Sequence, residues 1–182
     1  MKEGKTSKYE EQKETKPRIE DMINNYLHGQ LKNDAIDFVN FLRTNKMSPQ
    51  WASTNSYALS YKSRRVCIIK INEEEWTLWL NTQYNDEFNA CFAGEQEDMQ
   101  NILLSQLVYC HSCGKCAPGH SIIILGKQIQ NACYCPVIRL TNLNQLELDC
   151  AKKLVLLRKT AIAENKAPKV MYVAMSKRNR EA

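Results

Sequence analysis

Five of the chain's eight cysteines lie between positions 110 and 135, together with two of its three histidines. The first arm reads Cys110-His111-Ser112-Cys113-Gly114-Lys115-Cys116-Ala117-Pro118-Gly119-His120, and the second reads Cys133-Tyr134-Cys135-Pro136. Two thiolates at Cys-x-x-Cys spacing sit on one tight turn whose amides can hydrogen-bond the sulfurs, which presents two soft ligands to a tetrahedral ion. A second pair must return from elsewhere in the chain. Cys133 follows Cys113 after 19 residues and Cys116 after 16, close to the roughly 15–20 of a zinc ribbon. The return pair departs from that pattern, being Cys-x-Cys. Side chains two apart on a strand share a face, so both serve one ion only where the backbone between them is unbent. The expected metal ligands are therefore Cys110, Cys113, Cys116, Cys133 and Cys135, with His111 and His120 as substitutes. A site of four thiolates carries a net charge of −2, offset by donors such as Lys115 and Lys127.

Zinc in a closed structural site is the leading expectation for this cofactor. An iron–sulfur cluster is the less favoured one: Cys110, Cys113 and Cys116 copy the start of a bacterial ferredoxin run, but the closing Cys135-Pro136 is too distant. Thiol redox chemistry suits Cys113-Gly-Lys-Cys116, yet the βαβ context of such motifs is missing. Reduced thiols without an ion complete the set of readings. Nothing in the first 17 residues, a mixture of Lys and Glu, resembles a secretory signal. A disulfide framework is accordingly not expected, and a cytoplasmic location is. Cys67, Cys91 and Cys150 fall at positions of core periodicity and are expected to pack as small hydrophobes.

The usual catalytic arrangements are missing. There is no His-Glu-x-x-His, and no His-x-Glu preceding a Pro-Cys-x-x-Cys. The six glycines form no phosphate-cradling array. His28 stands alone at a helix end, which suits structure better than nucleophilic catalysis. The balance leans against an enzyme. Trp51, Trp76 and Trp79 are expected first to pack in the core; the functional alternative is an aromatic pocket built from them, able to hold an apolar ligand or to stack nucleic-acid bases. Trp76 and Trp79 are three apart, so a strand carrying both directs them to opposite faces.

The net charge of +5 is mostly terminal. Residues 166–182 hold Lys166, Lys169, Lys177, Arg178 and Arg180 against Glu181, while residues 18–165 balance. No apolar run reaches the roughly 18 residues of a membrane span, so no membrane partner is expected. A small molecule or a protein is the expected partner, with nucleic acid a weaker alternative.

The elements that must position these residues can be read from periodicity. Residues 1–17 read as a flexible charged segment, 18–165 as a single α+β domain, and 166–182 as a basic tail. Ile19, Met22, Ile23, Tyr26 and Leu27 form one helix face ended by Gly29; a second helix, capped by Asn33 or Asp34, buries Ala35, Phe38, Val39 and Leu42. Period-two patterns then mark strands at 57–61, 66–71, 76–81 and 88–92, an antiparallel sheet of about four strands. Some of these are apolar on both sides, so helices are expected to cover the sheet. A helix from Glu95 to Tyr109, a hairpin turning at Gly126-Lys127, and a helix from about Leu143 to Ala163 complete the chain.

The motif Cys113-Gly114-x-Cys116-x-Pro118-Gly119, followed by Ile124-Leu125-Gly126-Lys127, Asn131-x-Cys133 and Cys150-Ala151-Lys152-Lys153-Leu154, resembles a small family of uncharacterised proteins from anaerobic bacteria over about residues 50–163. The resemblance implies a bacterial source and favours Cys113, Cys116 and Cys133 as ligands; it implies no activity. The strands from Lys62-x-Arg64 into Val66-x-Ile68 are distantly similar to MmcQ/YjbR-like α+β domains, a likeness that brings no site.

Overall fold

The computed structural model describes residues 7–106, 120–132 and 137–167. The fold is α+β, built on an antiparallel five-stranded sheet and a separate two-stranded hairpin.

Helix α1 (Lys8–Thr15) occupies what the sequence predicts to be a flexible segment. Its helical face carries almost no apolar residues, so periodicity cannot reveal it; polar contacts hold it. The Ser7 side chain accepts from the Glu10 amide at 3.3 Å, the arrangement of an N-cap. Gln12 is 6% exposed and bonds to Asn55, donating to Oδ1 and accepting from the backbone N, both at 2.7 Å. Tyr9 leans on Trp51, ring centroids 6.1 Å apart.

Helix α2 (Ile19–Tyr26) buries Ile19, Met22 and Ile23. It stops three residues before the expected Gly29 because Leu27 turns extended. Gly29, at φ +55, instead opens α3 (Gly29–Thr44). Asn33 and Asp34 therefore lie inside α3 and cap nothing; Asp34 accepts from Gln30 one turn earlier, at 2.7 Å.

Strands β1 (Gln50–Ser53), β2 (Ser56–Tyr61), β3 (Arg64–Asn72) and β4 (Glu75–Asn81) form a meander. Tight turns join them through residues of positive φ, Lys62 and Ser63 between β2 and β3, and Glu74 between β3 and β4. The expected fourth strand at 88–92 is instead helix α4 (Asp86–Phe92). Phe88 and Phe92 fit the helical i, i+4 spacing as well as alternation, and the Asn85 side chain accepts from the Phe88 amide at 3.0 Å, which decides for the helix. Helix α5 (Glu97–Ser105) begins two residues later than expected, because the Gln100 side-chain Nε2 donates to the carbonyls of Phe92, Ala93 and Glu95 and holds the α4–α5 corner in a non-helical turn. It buries Met99 and Leu103, while the expected Leu107 lies outside the described residues.

The hairpin β5 (His120–Ile124) and β6 (Lys127–Ala132) turns at Leu125-Gly126, one residue earlier than expected. Both turn residues have positive φ, 48° and 76°, as a type I′ turn requires, and Gly takes its second position. Asn89 of α4 clamps this turn: Nδ2 donates to the Ile123 carbonyl at 3.1 Å and Oδ1 accepts from the Leu125 amide at 2.9 Å.

Strand β7 (Val137–Thr141), not foreseen, joins the edge of the large sheet in the order β1-β2-β3-β4-β7. Its pairing begins with Val137 opposite Asn81. Helix α6 (Gln145–Ala163) follows, opened by a capping box in which Asn144 and Glu147 exchange side-chain-to-backbone bonds at 2.9 and 3.0 Å.

Helices α2, α3 and α6 pack on β3 and β4. The residues beneath them include Tyr57 and Leu59 of β2, Cys67, Ile69 and Ile71 of β3, Trp76, Leu78 and Leu80 of β4, and Ile138 and Leu140 of β7, all buried. A bulge between β2 and β3, where Leu59 faces Cys67 but Ser60 faces Arg65, lets Val66 and Cys67 both enter this core. Helices thus cover the sheet, as expected, but among the described residues they do so on one side. Its other side carries Ala58, Ile68, Lys70 and Trp79 half-exposed and Arg139 and Thr141 exposed, with Thr77 and Asn81 of β4 buried between them. Among the described residues, no helix is long and apolar enough to cross a membrane.

Candidate functional site

The cysteine constellation falls largely outside the described residues: Cys110, His111, Cys113, Cys116, Cys133 and Cys135 all do, and of His120 only the backbone is described. What is described is the frame on which both arms are mounted. His120 and Ala132 are cross-strand partners at the open end of the β5–β6 hairpin. Partners in an antiparallel pair lie about 4.5–5.5 Å apart at Cα. The chain reaching His120 from Cys116 and the chain leaving Ala132 for Cys133 therefore meet the hairpin side by side. Lys127, expected near the site, instead stands at the turn end of β6, opposite Ile124. Four strand residues separate it from the Ala132 end. Among the described residues, no cluster of three or more Cys, His, Asp or Glu could hold a metal ion.

The remaining thiols separate by burial. Cys67 and Cys150 are fully buried, as expected, and loss of water pushes each thiol up to about 12. Cys91, at the end of α4, is only half-buried, and it too is raised, chiefly by burial and then lowered in part by Lys153. All three are neutral thiols at neutral pH, which suits packing rather than ion binding or nucleophilic attack.

The three tryptophans do not share a pocket. Trp76 is fully buried and packs against Phe38, centroids 5.9 Å apart. Trp51 lies opposite Tyr57 on β2 and is covered by α1, its Nε1 donating to Gln12 Oε1 at 3.4 Å. Trp79 faces the other way from Trp76, as expected from their spacing, and the Arg139 guanidinium lies 4.9 Å over its ring. Burial of aromatic area dominates the first, a polar anchor the second, and a cation–π contact the third.

Trp79 is the centre of the uncovered sheet face. One row across four strands runs Ala58, Ile68, Trp79, Arg139, and the next runs Ser56, Lys70, Thr77, Thr141, each residue directly opposite its neighbour. Thr77 and Thr141 join hydroxyls at 3.3 Å. Arg65, opposite Ser60 at the bulge, extends the face on β3. Two groups here are unsatisfied: the Trp79 Nε1 and both amide atoms of Asn81 are buried and, among the described residues, without a hydrogen-bond partner. Asn81 is 2% exposed. Arg139 escapes sequence reasoning because β7 does; the alternation of Val137, Arg139 and Thr141 with Ile138 and Leu140 after Pro136 is the signal that would have found it. Asn81 lies on the expected strand at 76–81, but nothing in the sequence shows that its amide is buried without a partner.

A groove of about 480 Å³ also runs between α5 and α6, lined by Met99, Leu146 and Leu156 among charged residues. Its lysines are already paired, Lys153 with Glu95 and Lys152 with Asp37.

No family model, curated protein or solved structure matches the chain.

Proposed function

We propose that this chain is a cytoplasmic binding or sensor module in which the two cysteine arms close around a structural zinc ion. The observation that supports this reading is the pairing of His120 with Ala132, by which the chain arriving from the first arm and the chain leaving for the second meet the hairpin side by side. Cys113 and Cys116 would supply the tight-turn pair and Cys133 the return ligand, as the family resemblance also favours; Cys110 or Cys135 would complete the set. An ion in such a closed site contributes folding free energy and no chemistry. It would staple the hairpin to the end of α5, and so give the chain between Ser105 and Val137 a fixed shape for a partner to recognise.

Elemental analysis with an absorbance spectrum tests the proposal directly. Purified protein is expected to hold close to one zinc ion per chain and to be colourless. Replacing Cys113, Cys116 or Cys133 by Ser is expected to abolish that stoichiometry and to lower Tm, and a chelator to do the same to the parent protein. Iron with visible absorption would replace zinc by a cluster. A metal-free protein with one thiol in 110–116 alkylating rapidly at neutral pH would favour thiol redox chemistry in its place.

A further inference from the structure

We propose that the uncovered face of the five-stranded sheet binds single-stranded nucleic acid, stacking a base at Trp79 and holding phosphates with Arg65, Lys70 and Arg139. This surface lies on the described strands and does not depend on the zinc proposal.

Three features of the face converge on such a ligand. The first is its charge. Arg65 and Lys70 stand on β3 and Arg139 on β7, flanking the β4 residue Trp79 on both sides. Neighbouring strands lie about 4.8 Å apart, so the two cationic strands are about 10 Å from each other across the ring. The acid on this side of β3 and β4 is Glu75, whose Oε1 accepts from Asn72 at 3.3 Å at the far end of the strands. A polyanion therefore meets attraction around Trp79, although residues 18–165 as a whole are balanced in charge.

The second feature is a π surface within that field. Arg139 is exposed and crosses directly from Trp79, its guanidinium lying over the indole. A base can lie on the outer plane of that guanidinium or take its place on the ring, since both present a flat π surface to it. Trp79 is flanked on the other side by Ile68 and Ala58, which leave the neighbouring surface low and apolar.

The third feature is unmet hydrogen bonding. Two residues along β4 from Trp79, the Asn81 amide has a donor and an acceptor, both buried and, among the described residues, both without a partner, and the Trp79 Nε1 is a further unpaired donor. Leaving such groups unpaired costs free energy that a ligand with matching groups recovers. The edge of an unpaired base presents a donor and an acceptor side by side, the pattern an Asn amide engages. An acidic peptide would satisfy the cations, and its backbone could pair with the amide, but Asp and Glu side chains would leave the ring face unused. A duplex hides its base faces in the stack, so the ligand is single-stranded.

The test titrates the full-length protein with short single-stranded RNA and DNA labelled with a fluorophore, reading anisotropy and tryptophan quenching. Saturable binding that quenches tryptophan is expected, with the matching duplex bound roughly tenfold more weakly or less well still. Arg139→Gln and Lys70→Gln are each expected to weaken binding roughly tenfold and to reduce the slope of log affinity against log salt by about 1. Trp79→Leu is expected to remove the stacking contribution, again about tenfold. Trp79 is half-buried, so the exposed Arg139→Gln substitution, with its unfolding curve, carries the test should Trp79→Leu fail to fold. The proposal is overturned by absence of binding at low salt. It is equally overturned by binding that ignores Arg139→Gln and Lys70→Gln but disappears when Lys177, Arg178 and Arg180 are changed together to Gln. Displacement of the oligonucleotide by polyglutamate at equal charge concentration would assign the face to an acidic protein instead.

Discussion

Gln12 shows how a single polar side chain can place an element that hydrophobic patterning misses. Around it α1 offers Lys and Glu to water on nearly every side, and the helix alone is too short to persist in solution. The Gln12 amide bonds to Asn55 twice and accepts from Trp51, from within the protein surface. Removing it leaves the Asn55 amide and the Trp51 indole without their partner. Gln12→Ala is therefore expected to cost about 1–3 kcal/mol and to release α1 from β1. A urea titration measures the first, and a red shift of Trp51 emission reports the second. The cysteines were legible at this scale by type and spacing, and the core roles of Cys67 and Cys150 followed correctly from periodicity. Cys91 also packs against the core but only half-buried, because the segment expected to be a strand is a short helix and one side of the residue stays open.

Element boundaries depend on short-range side-chain bonds that pattern reading weighs too lightly. The α4 segment alternates well enough to pass for a strand, and only Asn85 on its amide and the i, i+4 contact of Phe88 with Phe92, centroids 5.0 Å apart, fix it as a helix. Long amphipathic stretches such as α3 and α6 were recognised from their stripes. Strand β7 was missed because its five residues, between the cysteine arm ending at Pro136 and the helix expected from Leu143, were assigned to no element. The capping box of α6 offers a direct test of how much a start signal contributes. Asn144→Ala removes the acceptor of the Glu147 amide and is expected to lower stability by about 1 kcal/mol, while Asn144→Ser or Asn144→Asp leaves it nearly unchanged. Thermal unfolding of the three variants measures this.

On the scale of the whole molecule, the sheet divides the protein into a closed side and an open one. Every large buried aromatic lies on the closed side, along with two thiols whose ionisation is suppressed. Cys67 and Cys150 hold their protons to about pH 12 in the fold, whereas an ordinary thiol releases its proton near 9.0. Above that value the native state binds more protons than the unfolded chain, so stability falls as pH rises. The contribution is fully present below pH 9.0 and is lost through the interval up to about 12, by up to about 1.4 kcal/mol per unit for each thiol. Urea midpoints measured from neutral pH upward are expected to decline over that window, and to decline less steeply in the double variant Cys67→Ala, Cys150→Ala. The two-sidedness of the sheet was not legible beforehand, because Ile68 and Trp79 look like core residues in a list of types. Their position opposite Ala58 and Arg139 becomes visible only once register is known.

The pairing of Asn81 with Val137 has one more consequence. All the chain between them, α4, α5, the hairpin and both cysteine arms, departs from and returns to a single rung of the ladder. To the sheet, that excursion is an oversized hairpin loop inserted between two neighbouring strands. The rung at its root is fixed by β4 and β7 themselves, so the length of the cysteine-bearing part can change without disturbing strand register, while α4 and α5 stay tied to the core through Phe88, Phe92, Met99 and Leu103. The cysteine-bearing part is thus free to specialise as a graft on a scaffold that need not change with it.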